Sequence, residues 1–161
     1  MSNKVAILMG STSDWPAIKP ATEILDSLKI SYEVKVLSAH RTPKELLNYV
    51  EEKIKEGSVK VFIAGAGGAA HLAGVISAHT ILPVLGVPME SQSLKGLDSL
   101  LSTVQMPSGV PVATFGIGSA GSSNAALFAA AILGVTNEGI SNGIQKYREK
   151  KAQSVLNSKL D

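Results

Sequence analysis

Five short apolar runs, each ending at a turn of small or polar residues and each followed by a helical pattern, divide most of this 161-residue chain. The first run, at residues 5–9, is apolar at every position, as expected of a strand covered on both faces. Such strands pair in parallel, and parallel strands need long, right-handed crossovers that helices provide. The alternation therefore predicts a parallel sheet between two layers of helices.

The boundaries of the predicted elements follow from the apolar runs and from helical periodicity. Strands are predicted at residues 5–9, 32–37, 59–64, 82–87 and 112–115. Helices are predicted at residues 14–28, 42–57, 69–78, 94–104 and 119–133, with a helical tail from about residue 137 to residue 161. Thr42, Pro43 and Glu45 match a capping box with proline at the first helical position.

The order of the strands decides which turns meet. We predict a single α/β domain over residues 1–161, because a chain of this length with 45% hydrophobic residues suits one core. Its fold class is a three-layer α/β/α arrangement with a five-stranded, parallel, flavodoxin-like sheet of order 2-1-3-4-5. In that order the first strand lies between the second and third, so the turns after these three strands converge at one crevice.

The first of these turns contains Gly10, Ser11, Ser13 and Asp14. Backbone N–H groups and hydroxyls at the start of a helix favour a phosphate. Asp14 would repel a phosphate, so we expect it to accept hydrogen bonds from sugar hydroxyls. Simple helix capping by Ser13 or Asp14 explains the same residues equally well.

The second turn contains Ser38, Ala39, His40 and Arg41, just before the predicted capping box. Arg41 suits an anionic ligand because its guanidinium is a planar fork of donors. Histidine is the natural general acid or base in such a loop. A histidine in a loop is more often merely solvated, but the adjacent arginine and the position at the crevice favour a chemical role for His40.

Two segments match a glycine pattern typical of dinucleotide-binding loops, residues 65–70 and residues 116–121. Neither follows the first strand, so both are interpreted as phosphate loops or as places of close backbone approach. Close helix-to-strand packing is at least as good an explanation for the second segment. After the first segment, His71 is expected to point into the crevice, whereas His79 is expected to cap the end of its helix.

Composition excludes several functional classes. The 15 basic and 13 acidic side chains give a net charge of +2, and the basic ones are scattered except for a Lys/Arg-rich stretch at residues 146–151, which argues against nucleic acid. The longest apolar stretch, residues 125–135, is much shorter than the roughly 20 residues that a bilayer requires, so no membrane partner is expected. The chain has no cysteine and begins without a secretory signal, which indicates a cytoplasmic protein. Its histidines lack metal-ligand spacing, so no metal is expected.

Six ordered motifs carry a resemblance to a known family. They are GSTSD at residues 10–14, SAHRTP at 38–43, AGAGGAAHL at 64–72, LGVP at 85–88, QMP at 105–107 and NAAL at 124–127. Together they resemble the 5-(carboxyamino)imidazole ribonucleotide mutases of purine biosynthesis, over nearly residues 4 to 134. The resemblance implies an isomerase that moves a carboxylate from the 5-amino nitrogen of the imidazole to ring carbon C4, without a cofactor.

The resemblance also implies roles for individual residues and an assembly. His40 would be the catalytic histidine, and Ser11, Asp14 and Arg41 would bind the nucleotide. The further substrate-binding residues expected are Gly10, Ser13, Ser38, Ala39, Gly65, Gly67, Gly68, His71 and Leu72. A homo-octamer with pockets completed by neighbouring subunits is implied as well. Ala73, Ser108 and Phe115 depart from the usual family pattern but leave the first two turns intact.

Three other functions use some of the same features. A related branch of the family carboxylates aminoimidazole ribonucleotide directly with carbon dioxide, and the sequence of the third turn favours the mutase. A non-catalytic nucleotide sensor would use the anion-binding turns without needing His40. A redox flavoprotein is disfavoured, because only one tryptophan and three tyrosines are available for stacking.

Overall fold

Five parallel strands form one sheet in the order β2-β1-β3-β4-β5, as the sequence predicted. The structure is a computed structural model, and it describes residues 4–159. The last two residues of the predicted tail therefore lie outside the described residues. The strands are β1 (Lys4–Met9), β2 (Ser31–Val36), β3 (Val59–Ala66), β4 (Val84–Pro88) and β5 (Ala113–Thr114).

Six α-helices connect and cover these strands within the described residues. They are α1 (Trp15–Ser27), α2 (Pro43–Glu56), α3 (Leu72–Ser77), α4 (Leu97–Val104), α5 (Gly118–Gly134) and α6 (Glu138–Leu156). A short 3-10 turn at Thr12–Asp14 precedes α1. None of the helices in residues 4–159 combines the length and apolarity needed to cross a bilayer.

The central strand β1 serves two cores, because successive side chains of a strand point to opposite faces of the sheet. Val5, Ile7 and Met9 pack with α1 and α5 on one face. Ala6 and Leu8 pack with α2 and α3 on the other. All five side chains are at most 1% exposed, which explains why the run is apolar at every position.

The strand register aligns the three turns. Met9 at the end of β1 lies opposite Val36 in β2 and Gly65 in β3, so the three strands reach the same edge together. The turn after each strand therefore starts at the same level of the sheet. This is the convergence that the predicted strand order required.

Helix ends show where local sequence patterns succeed and fail. Gly57 ends α2 in a left-handed conformation with φ of 63°, close to the predicted end. The predicted capping box at Thr42 is wrong: the Thr42 hydroxyl accepts from the Ser38 backbone N–H at 2.8 Å instead of capping α2. A capping box is found instead between Ser11 and Asp14.

Two other helices begin later than predicted. Helix α4 begins at Leu97 because Gly96 before it adopts φ of 89°, which a helix does not allow. Helix α3 begins at Leu72, three residues after its predicted start. Side chains of α4 bind the backbone of residues 68 and 70 and hold this stretch as a loop.

Candidate active site

A pocket of about 490 Å³ opens at the carboxyl ends of β1, β2, β3 and β4. This edge of an open parallel sheet is where ligands bind in such folds. The pocket combines polar turns with a few apolar side chains, as ligand sites do. Its lining residues are Gly10, Ser11, Ser13, Asp14, Ser38, Ala39, His40, Arg41, Ala66, Gly67, Gly68, Ala69, His71, Leu72, Glu90 and Ser91.

In the first turn, hydroxyl and carboxylate groups hold one another in place. The Ser11 backbone N–H donates to Asp14 Oδ2 at 3.1 Å, and the Ser13 N–H donates to Ser11 Oγ at 3.2 Å. The Ser13 hydroxyl donates to the same Ser11 oxygen at 2.8 Å. Capping, the alternative explanation from sequence, is therefore realised here, although by Ser11 and Asp14 together. All three residues nevertheless line the pocket.

Asp14 is the partly buried carboxylate of this turn. Burial raises its pKa, while the Ser11 amide and the Arg41 charge act in the opposite direction. Because the carboxylate already accepts from Ser11, it is oriented before any ligand arrives. A fixed acceptor of this kind suits a hydroxyl donor better than a phosphate.

In the second turn, the buried hydroxyl of Ser38 organises the loop. Ser38 Oγ accepts from the backbone N–H of His40 at 3.4 Å and of Arg41 at 3.2 Å. It also accepts from Arg41 Nε at 3.4 Å, while Arg41 Nη2 donates to the Gly10 carbonyl at 2.7 Å. Arg41 thus ties the second turn to the first. Its other guanidinium hydrogens have no acceptor among residues 4–159.

The third turn brings a second histidine to the first. His40 Nε2 lies 2.9 Å from His71 Nδ1, and the two rings meet edge to face with centroids 5.0 Å apart. Both rings are exposed to the pocket. A hydrogen bond between two imidazoles needs one nitrogen to donate and the other to accept, so a proton gained or lost by either ring changes the contact.

The glycines of the third turn do different things. Gly67 and Gly68 line the pocket, and Gly68 has a left-handed φ of 68°. Gly65 is the one predicted site residue that the structure keeps out of the pocket lining. It is buried in β3, where an added Cβ would lie 2.5 Å from Ile18 Cδ1 and 2.7 Å from Met89 Cε. Gly65 allows close packing beneath the pocket.

Four lining residues were not predicted: Ala66, Ala69, Glu90 and Ser91. Glu90 and Ser91 follow β4, so the same strand-end rule that located the other turns could have found them. The Ser91 hydroxyl donates to Asp98 at 2.6 Å and lowers the pKa of that carboxyl. The Glu90 carboxylate has no side-chain partner in the part of the chain that the structure describes.

The remaining candidates lie elsewhere. Residues 116–121 do not line the pocket, and an added Cβ on Gly121 would overlap the Gly116 carbonyl oxygen, which matches the packing explanation. His79 binds the Val75 carbonyl at 2.8 Å near the end of α3. Across residues 4–159, no group of three or more His, Cys, Asp or Glu side chains is placed to hold a metal.

Comparison with known proteins gives a consistent family. A family model described as AIR carboxylase matches residues 4–154. Proteins named N5-carboxyaminoimidazole ribonucleotide mutase from Vibrio parahaemolyticus and Bacillus subtilis are each 54% identical to this chain. The alignments cover 95% of this chain and 94% of the Vibrio protein, and 98% and 97% for Bacillus. The crystal structure of Treponema denticola PurE superposes with a TM-score of 0.87 at 29% identity, covering 96% of this chain and 94% of that one.

Proposed function

The chain belongs to the AIR carboxylase family, and from this membership we infer that it is an isomerase of purine biosynthesis. It converts N5-carboxyaminoimidazole ribonucleotide to 4-carboxy-5-aminoimidazole ribonucleotide. The names of the relatives favour this mutase reaction over direct carboxylation of aminoimidazole ribonucleotide and over a non-catalytic nucleotide sensor.

We propose that the first two turns bind the ribose phosphate. Ser11 and Ser13 lie in the turn that begins α1, where the helix dipole favours an anion. Arg41 presents guanidinium hydrogens that have no acceptor in the described part of the chain, at the same end of the pocket, and Asp14 offers an oriented acceptor for a sugar hydroxyl. The phosphate and the sugar would thereby fix the imidazole relative to the third turn.

The observation that carries the proposed chemistry is the His40–His71 contact at 2.9 Å. In the proposed reaction the N–C bond of the carbamate breaks, carbon dioxide leaves and the amine nitrogen takes a proton. The C4 carbon then bonds to the carbon dioxide, and the proton on C4 is removed to restore aromaticity. We assign both proton transfers to His40, acting first as acid and then as base. His71 would orient the His40 ring.

The pocket also has to keep the released carbon dioxide beside the ring. Ala39, Ala69 and Leu72, which lie close to the two histidines along the chain, contribute small apolar surfaces to the pocket lining. Holding both fragments together makes recapture effectively intramolecular, which is a large advantage over reaction with dissolved gas. We therefore propose carboxylate transfer through trapped carbon dioxide.

An isotope experiment tests the reaction and the trapping together. The purified protein is given the carboxyamino ribonucleotide with an isotopically labelled carboxylate, in buffer containing unlabelled bicarbonate. Conversion with the label retained in the C4 product supports the mutase with trapped gas. Product that has lost the label would reject trapping, and turnover only from aminoimidazole ribonucleotide plus bicarbonate would reject the mutase.

Replacing His40 tests its assignment. We expect His40→Asn to reduce kcat by roughly 10²–10⁴-fold, the usual contribution of a positioned general acid–base group. Nucleotide binding should persist, because the first turn and Arg41 are unchanged. His79→Asn is the matched control, since His79 is also exposed but lies outside the pocket. Near-normal turnover by the His40 variant would refute the role.

We further propose a homo-octamer with active sites between subunits, located in the cytoplasm where nucleotide precursors are made. Leu97, Leu101 and Val104 of α4 and Phe128 of α5 are each 46–51% exposed, and burial between subunits would remove these apolar surfaces from water. Sedimentation velocity tests the assembly. A monomer at micromolar concentration would contradict it.

A further inference from the structure

Helix α4 places a row of hydroxyl groups against the third turn. Ser99 is fully buried, Thr103 is 3% exposed and Ser102 is partly buried. The Gly68 backbone N–H donates to Ser99 Oγ at 2.9 Å, and the Ala70 N–H donates to Ser102 Oγ at 3.0 Å. The Ser102 hydroxyl donates to the Asp98 carbonyl of its own helix at 2.7 Å, and its oxygen also lies 3.1 Å from the Gly68 carbonyl. The row therefore binds two backbone N–H donors of the turn.

These bonds divide the backbone amides of the turn into two sets. Gly68 donates to Ser99 of α4, and Ala70 donates both to Ser102 of α4 and to the Gly68 carbonyl at 2.9 Å. Gly67 and Ala69, which alternate with them, have no acceptor for their N–H groups among the described residues, and both line the pocket. The hydroxyl row thus determines which amides face a ligand.

The same bonds prevent a competing local structure. The small residues from Ala69 onward are compatible with helix, and the sequence alone predicted that α3 begins there. Instead the turn stays irregular up to His71, the residue that precedes the first residue of α3. The position of the His71 ring, and with it the His40–His71 contact, depends on the turn that α4 holds.

We propose that Ser99 and Ser102 are positioning residues for the isomerase reaction. They fix the Gly68 and Ala70 amides, and through this turn they align His71 with His40. The proposal rests on the function proposed above. It assigns a role in catalysis to side chains that do not line the pocket themselves.

A second set of bonds makes α4 a support for two walls at once. The Ser91 hydroxyl donates to Asp98 at the start of α4, and the Gly96 N–H donates to Ser91 Oγ at 3.0 Å. Ser91 and its neighbour Glu90 line the side of the pocket that follows β4. The first turns of α4 therefore hold the third turn and the β4 loop in a fixed relation.

Three variants and one control test the proposal. Ser99→Ala and Ser102→Ala each remove the oxygen that accepts from the turn, whereas Ser102→Thr keeps it. Ser122→Ala is the matched control, because Ser122 is also a fully buried helical serine, but its hydroxyl has no hydrogen-bond partner among residues 4–159. Each protein is assayed for kcat and KM well below its melting temperature. Hydrogen exchange of the peptide covering residues 66–72 is measured in parallel.

We expect both alanine variants to lose about 10–100-fold in kcat, since a misplacement of roughly 1 Å can cost 10²-fold. KM should change less, because the first and second turns are intact. Exchange in residues 66–72 should accelerate, and Ser102→Thr and Ser122→Ala should stay within about threefold of the unmodified protein. Alanine variants with unchanged kcat and lowered melting temperature would overturn the proposal.

Two further outcomes remain decisive. If Ser99→Ala does not fold, the comparison of Ser102→Ala with Ser102→Thr decides, because that position is only partly buried. If the unmodified protein shows no mutase turnover, the proposed function fails by itself. Unchanged exchange in the alanine variants would then reject the hydroxyl row as the support of the turn, and faster exchange would support it.

Discussion

Residues 65–70 and residues 116–121 both match the pattern G-x-G-x-x-G/A, but only the first segment contributes to the pocket. In the second segment, Gly121 is required because its Cα approaches the Gly116 carbonyl too closely for any side chain. In the first segment, Gly65 is needed for packing and Gly68 for its left-handed backbone, with open space where its Cβ would be. A glycine pattern thus records three different steric needs, and only the surroundings distinguish them.

A side chain at Gly121 is expected to have the largest effect on stability. We expect Gly121→Ala to destabilise the protein by more than about 4 kcal/mol, because the added Cβ would overlap the Gly116 backbone oxygen, and relieving the overlap requires the backbone to shift. With total stabilities of about 5–15 kcal/mol, much of the variant would be unfolded or aggregated. Urea denaturation followed by circular dichroism measures the loss.

Gly116→Ala is the control within the same segment. An added Cβ there would have its nearest neighbours at 4.0 Å, which is ordinary contact distance. We expect its stability to stay within about 0.5 kcal/mol of the unmodified protein. Equal losses of stability in the two variants would show that neither position tolerates a side chain. The assignment of a specific close approach at Gly121 would then be wrong.

Features set by short segments could be predicted from the sequence, whereas features set by contacts between distant residues could not. The strand order and the meeting of three turns followed from apolar runs and crossover geometry, which are properties of short segments. The late start of α3 did not, because Ser99 binds Gly68 from 31 residues away along the chain. The capping box was assigned to Thr42, where the Ser38 backbone competes for the hydroxyl, and not to Ser11.

The sequence also predicted most, but not all, of the residues that line the pocket. The turns after the first three strands supplied almost all of the predicted lining residues. Gly65 is among the predicted residues because glycine spacing does not distinguish a missing side chain that makes room for a ligand from one that makes room for Ile18 and Met89. The sequence prediction does not contain Glu90 and Ser91, although β4 is also parallel and ends at the same edge.

Gly68 differs from Gly65 and Gly121, because glycine is required there only for its backbone angle. We expect Gly68→Ala to cost about 1–2 kcal/mol in stability, the usual penalty for a side chain in the left-handed region. The strain should also shift the turn that carries His71, so kcat should fall. Urea denaturation and steady-state kinetics measure the two effects separately.

Gly57→Ala is the matched control for this prediction. Gly57 has φ of 63°, like the 68° of Gly68, and no atom of the described residues would lie within 4 Å of a Cβ added to it. It ends α2 and does not line the pocket. We expect the two variants to lose similar stability while only the Gly68 variant loses activity. A similar loss of activity in both variants would show that activity does not depend specifically on the conformation of the third turn.

The first turn gives the smallest effect and combines both roles, since Asp14 caps its own turn and lines the pocket. Burial raises the pKa of Asp14 above its ordinary value of 3.8. A carboxyl whose pKa rises on folding stabilises the protein fully below pH 3.8, and this contribution is lost as the pH rises through the folded-state pKa. At a pH above the folded-state pKa, the ionised Asp14 therefore costs stability.

Asp14→Asn keeps an oxygen for the Ser11 amide but removes the charge. We expect the variant to be slightly more stable than the unmodified protein at pH 7, with the gain shrinking toward zero as the pH falls to 3.8, while its affinity for the ribonucleotide decreases. Urea midpoints across this range and nucleotide titrations at pH 7 measure the two changes. A gain in stability that does not vary with pH would show that the effect comes from packing. Unchanged affinity for the ribonucleotide would show that Asp14 only caps its turn. A gain in stability together with a loss in affinity would mean that this turn retains a destabilising, partly buried charge because the ligand needs it.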